Sequence, residues 1–175
     1  MLGHHMILIG FMGAGKTRVG RELADRYQKE LIDTDQRIEA IAGMSISRLF
    51  EVRGEPYFRM METKVLEELL HLEAGQVIAT GGGLPMREEN RKLLHELGTV
   101  IYLQVDAGTI LQRLQGDETR PLLQGEGAEE KIHALLSDRE PIYRGIAHRI
   151  VKVDHRTPEE IADEIVQSMK KGEKT

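Results

Sequence analysis

At 175 residues, with 40% hydrophobic and 30% charged positions, the chain suits one compact domain with room for a proper core. A net charge of −5 and only 4% aromatic residues argue against a general nucleic-acid surface and against a stacking platform for single strands. The lack of cysteine excludes disulfides, thiolate zinc sites and a cysteine nucleophile; no apolar run reaches membrane-spanning length, and a cytoplasmic enzyme is expected.

Residues 1–5 precede a second methionine and are set aside as a leader or tag remnant, leaving one domain over 6–170 and a polar tail over 171–175. The run Met6-Ile7-Leu8-Ile9 has strand length and apolarity. Directly after it, Gly10-Phe11-Met12-Gly13-Ala14-Gly15-Lys16-Thr17 fits G-x-x-x-x-G-K-[ST], a loop that wraps backbone amides around nucleotide phosphates. Val19, Leu23, Ala24 and Tyr27 then recur at helical spacing, so strand, glycine loop and helix follow one another as this motif requires. In that setting the amides of Gly13, Ala14 and Gly15 face anionic oxygens, and the helix N-terminus adds its partial positive charge. Lys16 reaches the β- and γ-phosphates and the Thr17 hydroxyl sits on Mg²⁺.

Leu31-Ile32 is a second strand, ending in Asp33-Thr34-Asp35 and followed by a helix with Ile38 and Ile41 on one side and Gly43 near its end. Ser45 or Ser47 caps a short helix that Gly54 stops, and a long helix runs from 57 to about 72. Val77-Ile78-Ala79 is a third strand leading into Gly81-Gly82-Gly83; a helix over 87–97 ends at Gly98, and Val100-Ile101-Tyr102-Leu103 is a fourth. Asp106 caps a helix containing Ile110, Leu111 and Leu114, after which residues 115–127 are polar and glycine-containing, as a lid would be. A helix over 129–144 bends or restarts at Pro141. Ile150-Val151-Lys152-Val153 is a fifth strand, and Thr157-Pro158-Glu159-Glu160 opens the last helix. Strands separated by helices imply a three-layer α/β/α fold with a five-stranded parallel sheet covered on both faces, whose ligands gather at the carboxyl ends of the strands.

That rule singles out the glycine loop, Asp33 with Asp35, and Gly81 to Gly83. On an extended segment Asp33 and Asp35 face the same side, one to hold Mg²⁺ through water and one to orient an acceptor hydroxyl; the plainer alternative is capping by Asp35 with Asp33 a turn residue. Three consecutive glycines permit close approach of a small ligand and present free amides, beyond the needs of a tight turn. Arg59, braced by Glu62, and Arg139, on the inward stripe with Ile132, Leu135, Leu136 and Tyr143, can clamp a carboxylate or merely form surface ion pairs. Arg120 in the lid can swing over the phosphates, and Arg113 at its leading edge can assist or stack on a base; either can also be a solvated loop arginine.

Together these residues resemble the shikimate kinase family over nearly the whole chain from Met6. The resemblance is carried by the glycine loop, Asp33-x-Asp35, Gly54-Glu55-x-x-Phe58-Arg59, Gly81-Gly82-Gly83 after Ala79-Thr80, and Arg120-Pro121-Leu122-Leu123 followed by Arg139-x-Pro141-x-Tyr143. It implies a P-loop kinase fold of the nucleoside monophosphate kinase type, with a substrate-binding segment over about 34–60 and a lid over about 115–127. It further implies a monomer that uses ATP and Mg²⁺ to phosphorylate the 3-hydroxyl of shikimate on the route to chorismate, with neither nucleic acid nor membrane as partner. In that resemblance Asp35 binds substrate hydroxyls and accepts the proton, while Arg59, Arg139 and the Gly82 amide hold the carboxylate in a pocket lined by Gly81 and Gly83. Lys16 and Arg120 stabilise the transferring phosphoryl group, and Thr17 ligates Mg²⁺ with Asp33 acting through water. Arg113, and Arg156 with Pro158, flank the adenine. The chain departs from the family's usual Gly-Lys-Ser-Thr at Arg18, which replaces a hydroxyl near the α-phosphate. Two other readings stay open at this point: a kinase of the same architecture acting on gluconate or a nucleoside monophosphate, and a catalytically silent nucleotide-binding relative.

Overall fold

In the computed structural model, which describes residues 4–73, 75–114 and 127–172, the sheet is organised around β1 (His5–Ile9), every residue of which is buried. It lies between β3 (Val77–Ala79) and β4 (Gly98–Gln104), with β2 (Leu31–Asp33) and β5 (Arg149–Lys152) at the edges, in the order β2-β3-β1-β4-β5. All four pairings are parallel. Helices cover both sides, which is why β1, β3 and β4 read as apolar runs rather than alternating ones.

The register decides where chemistry can occur. Leu8 pairs with Ala79, and Ala79 with Asp33, so the carboxyl ends of β1, β3 and β2 stand side by side. The segments that leave those ends are the glycine loop, the triple glycine and the start of α2 (Thr34–Ala42). Residues far apart in sequence are thus delivered to one place by sheet order alone.

The glycine loop feeds α1 (Lys16–Tyr27) through Gly15, whose φ of 90° lies in the left-handed region that a side chain disfavours. α2 ends at Gly43, and Ser45, of the two serines considered, caps α3 (Ile46–Leu69) by accepting from the Arg48 amide at 3.3 Å. α3 is two helices in continuity, broken at Gly54 (φ 80°, ψ 170°), and its second half ends at Leu69 rather than near Leu72. α4 (Glu88–Leu97) and α5 (Ala107–Leu114) fall close to expectation, the latter capped by Asp106, which accepts from the Thr109 amide at 2.6 Å. α6 (Ala128–Ile146) runs through Pro141 as one helix, correcting the expected bend. The carbonyl four residues earlier, which Pro141 cannot serve, belongs to exposed Ser137, where water can meet it. α7 (Pro158–Gly172) opens with a reciprocal cap: Thr157 accepts from the Glu160 amide at 3.3 Å, and Glu160 accepts from the Thr157 amide at 2.8 Å.

Two further positions differ from expectation. β1 opens at His5, one residue inside the stretch set aside; His5 is 4% exposed and its Nδ1 accepts from the Gln76 amide at 3.2 Å. Ile41, expected beside Ile38, is 45% exposed in the last turn of α2, whereas Ile38 is fully buried. The expected lid over 115–127, with Arg120, lies outside the described residues except for Gly127. Among the described residues no helix is long and apolar enough to cross a membrane.

Candidate active site

A cleft of about 1010 Å³ opens at the carboxyl ends of β1, β2 and β3. The glycine loop from Met12 to Thr17 lines it together with Arg18, Asp33, Asp35, Gly81, Gly82, Arg113, Arg156 and Pro158. Nearly all the nucleotide-side residues expected from sequence therefore share one space.

On the loop side, Lys16 is 9% exposed, and its Nζ donates to the carbonyls of Gly10 (2.8 Å) and Phe11 (3.0 Å). Thr17 Oγ1 donates to Asp33 Oδ2 at 2.8 Å, which places a hydroxyl and a carboxylate together beside the loop. Arg113 donates from Nη1 to Gly13 O (2.8 Å) and from Nη2 to Val153 O (3.4 Å), bridging loop and sheet end. Arg156 is tied to Lys152 O (2.8 Å), Glu160 O (3.0 Å) and Glu164 Oε2 (2.6 Å), so it forms a fixed wall with Pro158. Arg18 is exposed at the cleft edge.

The aspartates do not share one face of a strand. β2 stops at Asp33, which is the N-cap of α2: its Oδ1 accepts from the amides of Asp35 (3.0 Å) and Gln36 (3.3 Å). The capping role belongs to Asp33, not Asp35, and Asp35 reaches the cleft from the first turn of the helix. Its Oδ1 lies 2.7 Å, and Glu62 Oε1 3.2 Å, from the point where a Cβ on Gly81 would stand. Two carboxyl groups therefore meet over Gly81, where an added methyl would have to push the Asp35 carboxylate aside.

Arg59 enters from α3. Nε and Nη2 donate to Glu55 Oε1 (3.1 and 3.0 Å) and Nη1 donates to Glu62 Oε2 at 2.9 Å. Its guanidinium lies against Gly83, where a Cβ would stand 2.5 Å from Nη1 and 2.9 Å from Nη2. Arg139 enters from α6, its guanidinium carbon 5.5 Å from the Phe11 ring centroid and its Nη1 3.8 Å from a Cβ built on Gly82. The triple glycine thus has an arginine on either side. Of the three amides expected to be free, that of Gly81 donates to Thr34 Oγ1 at 3.0 Å, whereas that of Gly82 has no hydrogen bond to another described residue. Arg59, Gly83 and Arg139 adjoin the cleft without lining it.

A family model for shikimate kinase matches residues 12–170. The chain belongs to the shikimate kinase family. It is 43% identical to the shikimate kinase of Chromohalobacter salexigens, covering 95% of this chain and 92% of that one. To the shikimate kinase of Caldicellulosiruptor bescii it is 44% identical over 93% of each chain. Its structure superposes with a TM-score of 0.92 on shikimate kinase from Acinetobacter baumannii in complex with shikimate, at 40% identity over 98% of this chain and 96% of the other. Deoxyadenosine kinase from M. mycoides, at 15% identity and a TM-score of 0.62, shares the fold.

Three residues take a larger part in the site than the sequence reading assigns them: Glu62 as a brace for Arg59, Phe11 as a loop position and Tyr143 as an inward apolar residue of the Arg139-x-Pro141-x-Tyr143 run. Burial pushes the Glu62 carboxyl up to about 7 against the opposing pull of Arg59, and the side chain is 1% exposed. A signal was present: Glu62 falls on the apolar stripe of Met61, Val65, Leu66 and Leu69, where an acid must find a partner. Phe11 provides the face on which Arg139 rests. Tyr143, counted only as an inward apolar residue, donates its hydroxyl to Gly82 O at 2.6 Å.

Proposed function

We propose that this family member transfers the γ-phosphoryl group of ATP to the 3-hydroxyl of shikimate, working as a cytoplasmic monomer with a site built from one chain. The observation that carries the reading is the pair of guanidiniums flanking Gly82 and Gly83, next to Asp35 and the phosphate loop. A small ring acid with several hydroxyls needs both a cationic clamp and a hydroxyl acceptor, and this arrangement offers both.

Their placement supports the following roles. Arg59, Arg139 and the Gly82 amide hold the carboxylate, Gly81 and Gly83 leave room for the ring, and Asp35 accepts from its hydroxyls. The 3-hydroxyl oxygen bonds to the γ-phosphorus as the bond to the β–γ bridging oxygen breaks, and the hydroxyl proton passes to Asp35. Lys16 exchanges the carbonyls of Gly10 and Phe11 for phosphate oxygens, and the amides of Gly13, Ala14 and Gly15 cradle them. Arg120, outside the described residues, is expected to stabilise the transferring group. Arg113 and Arg156, with Pro158, flank the adenine, and Arg18 lies along the nucleotide.

Thr17 and Asp33 suit Mg²⁺: a hydroxyl and a carboxylate 2.8 Å apart are hard oxygen donors, and this cation completes its shell with phosphate and water. Held there, it would neutralise negative charge on the ATP phosphates.

ADP release measured with Mg-ATP and a panel of shikimate, gluconate and nucleoside monophosphates tests the assignment; turnover is expected with shikimate, and turnover with gluconate alone overturns it. Gly83→Ala probes the clamp. The added methyl must push the Arg59 guanidinium aside, a movement of a flexible side-chain end that costs little stability. Its shikimate KM is expected to rise about tenfold or more, the loss of one charge-assisted contact, with the ATP KM unchanged. An unaltered shikimate KM would show that Arg59 does not hold the acid.

A further inference from the structure

We propose that Tyr143 is a positioning residue that sets the spacing of the acid clamp by pinning the Gly82 carbonyl beside Arg139. The inference rests on the clamp described above and adds a residue that touches neither substrate nor nucleotide in that reading.

Tyr143 lies one helical turn beyond Arg139 on α6, on the same face, and is 0% exposed. A phenol has one proton to give and lone pairs to receive. The proton goes to Gly82 O at 2.6 Å, and the Arg139 guanidinium acts on the same hydroxyl from one turn earlier on the helix. Burial pushes the phenol up to about 12 against the pull of Arg139, so the donor is retained at any working pH. The ring leans on Tyr102 in the core, centroids 5.1 Å apart, which stops it from following a moving loop.

The hydroxyl therefore has a geometric consequence on both sides of the clamp. Gly81 O accepts from the Leu84 amide at 3.2 Å, fixing the peptide plane that carries the Gly82 N–H. Tyr143 fixes the next plane, between Gly82 and Gly83. With both planes pinned, the Gly82 amide has one direction, and Gly83 is held flat against Arg59. Arg139 Nη1 lies 3.8 Å from a Cβ built on that same Gly82, so the residue the phenol pins stands between the two guanidiniums assigned to the carboxylate.

Tyr143→Phe keeps the ring and removes only the tether. Its KM for shikimate is expected to rise about tenfold, the size of one lost hydrogen bond, while kcat and the KM for ATP stay within about threefold. In an Arg139→Ala background the same change is expected to alter kcat/KM for shikimate by less than about twofold, because the partner it positions is gone. With the methyl ester of shikimate, which lacks the anion, enzyme with and without the hydroxyl should behave alike. An unchanged shikimate KM, an equal factor in both backgrounds, or a matching rise in the KM for ATP overturns the inference. A wild-type enzyme that phosphorylates a different acceptor in place of shikimate defeats the functional reading itself, a result distinct from normal shikimate turnover with an indifferent Tyr143→Phe.

Discussion

Replacing Lys16 by alanine is expected to lower kcat at least about a thousandfold while leaving shikimate affinity within about threefold. The ammonium sits 9% exposed at the mouth of the loop, held by the carbonyls of Gly10 and Phe11 at 2.8 and 3.0 Å. Those carbonyls are weaker partners for a cation than phosphate oxygens, so nucleotide binding draws Nζ toward the γ-phosphoryl group, where charge redistributes during transfer. Its contribution is largest at that moment, which is why the loss falls on kcat. The loop itself should survive, because the Ala14 amide still donates to Phe11 O at 3.2 Å and the Val19 amide to Gly15 O at 2.9 Å. Steady-state ADP release, shikimate titration without nucleotide and a thermal melt separate these effects. Turnover within tenfold of wild type would remove Lys16 from the catalytic group.

The parts of this site that rest on local spacing were legible from residues alone. The glycine loop between an apolar run and a helical stripe, the Asp106 cap, and the Thr157–Glu160 start of the last helix each need only neighbours in sequence. Arg59 and Glu62, three apart on a helix, were readable for the same reason, and they meet at 2.9 Å. What was not legible depends on how strands are ordered and how helices then lie over them. The order β2-β3-β1-β4-β5 brings Gly81 beneath Asp35, and no periodicity in either segment announces that meeting. The aspartates were misread because an alternating pattern was extended past Asp33, where the side chain itself ends the strand by capping α2. Arg139 has its ring partner in a loop 128 positions earlier, a seat that only the assembled fold supplies. Tyr143 reads as apolar because most of its surface is; its single polar atom meets Gly82 O, 61 positions earlier.

Raising the pH from 5 to 8 is expected to cost the wild-type protein on the order of 3 kcal/mol more stability than it costs Glu62→Gln. In the unfolded chain this carboxyl ionises at its ordinary 4.5, whereas burial pushes the folded one up to about 7. Between those values the native state holds a proton that the unfolded state has released. Its contribution is therefore complete below pH 4.5, declines as the pH rises through 7, and changes no further above that. The cause is geometric: Oε2 has Arg59, but Oε1 is buried without a hydrogen-bond partner and faces the Asp35 carboxyl across Gly81, while Arg87 gives only weaker relief. Glutamine keeps an acceptor for Arg59 and never ionises, so its profile lacks this decline. His5 and His148, both lowered chiefly by burial, add an opposite trend, losing stability as the pH falls below 6.5. That trend is common to both proteins and cancels in their difference. Urea midpoints for the pair at pH 5, 6, 7 and 8 read the difference directly, and parallel profiles would mean that Glu62 is already ionised in the native site. As the pH falls below 7, protonation of Glu62 leaves the charge of Arg59 balanced increasingly by Glu55, an exposed partner that water screens. If Arg59 holds the substrate carboxylate as proposed, shikimate KM is then expected to fall as the pH drops from 8 to 6 in the wild type and to stay flat in Glu62→Gln.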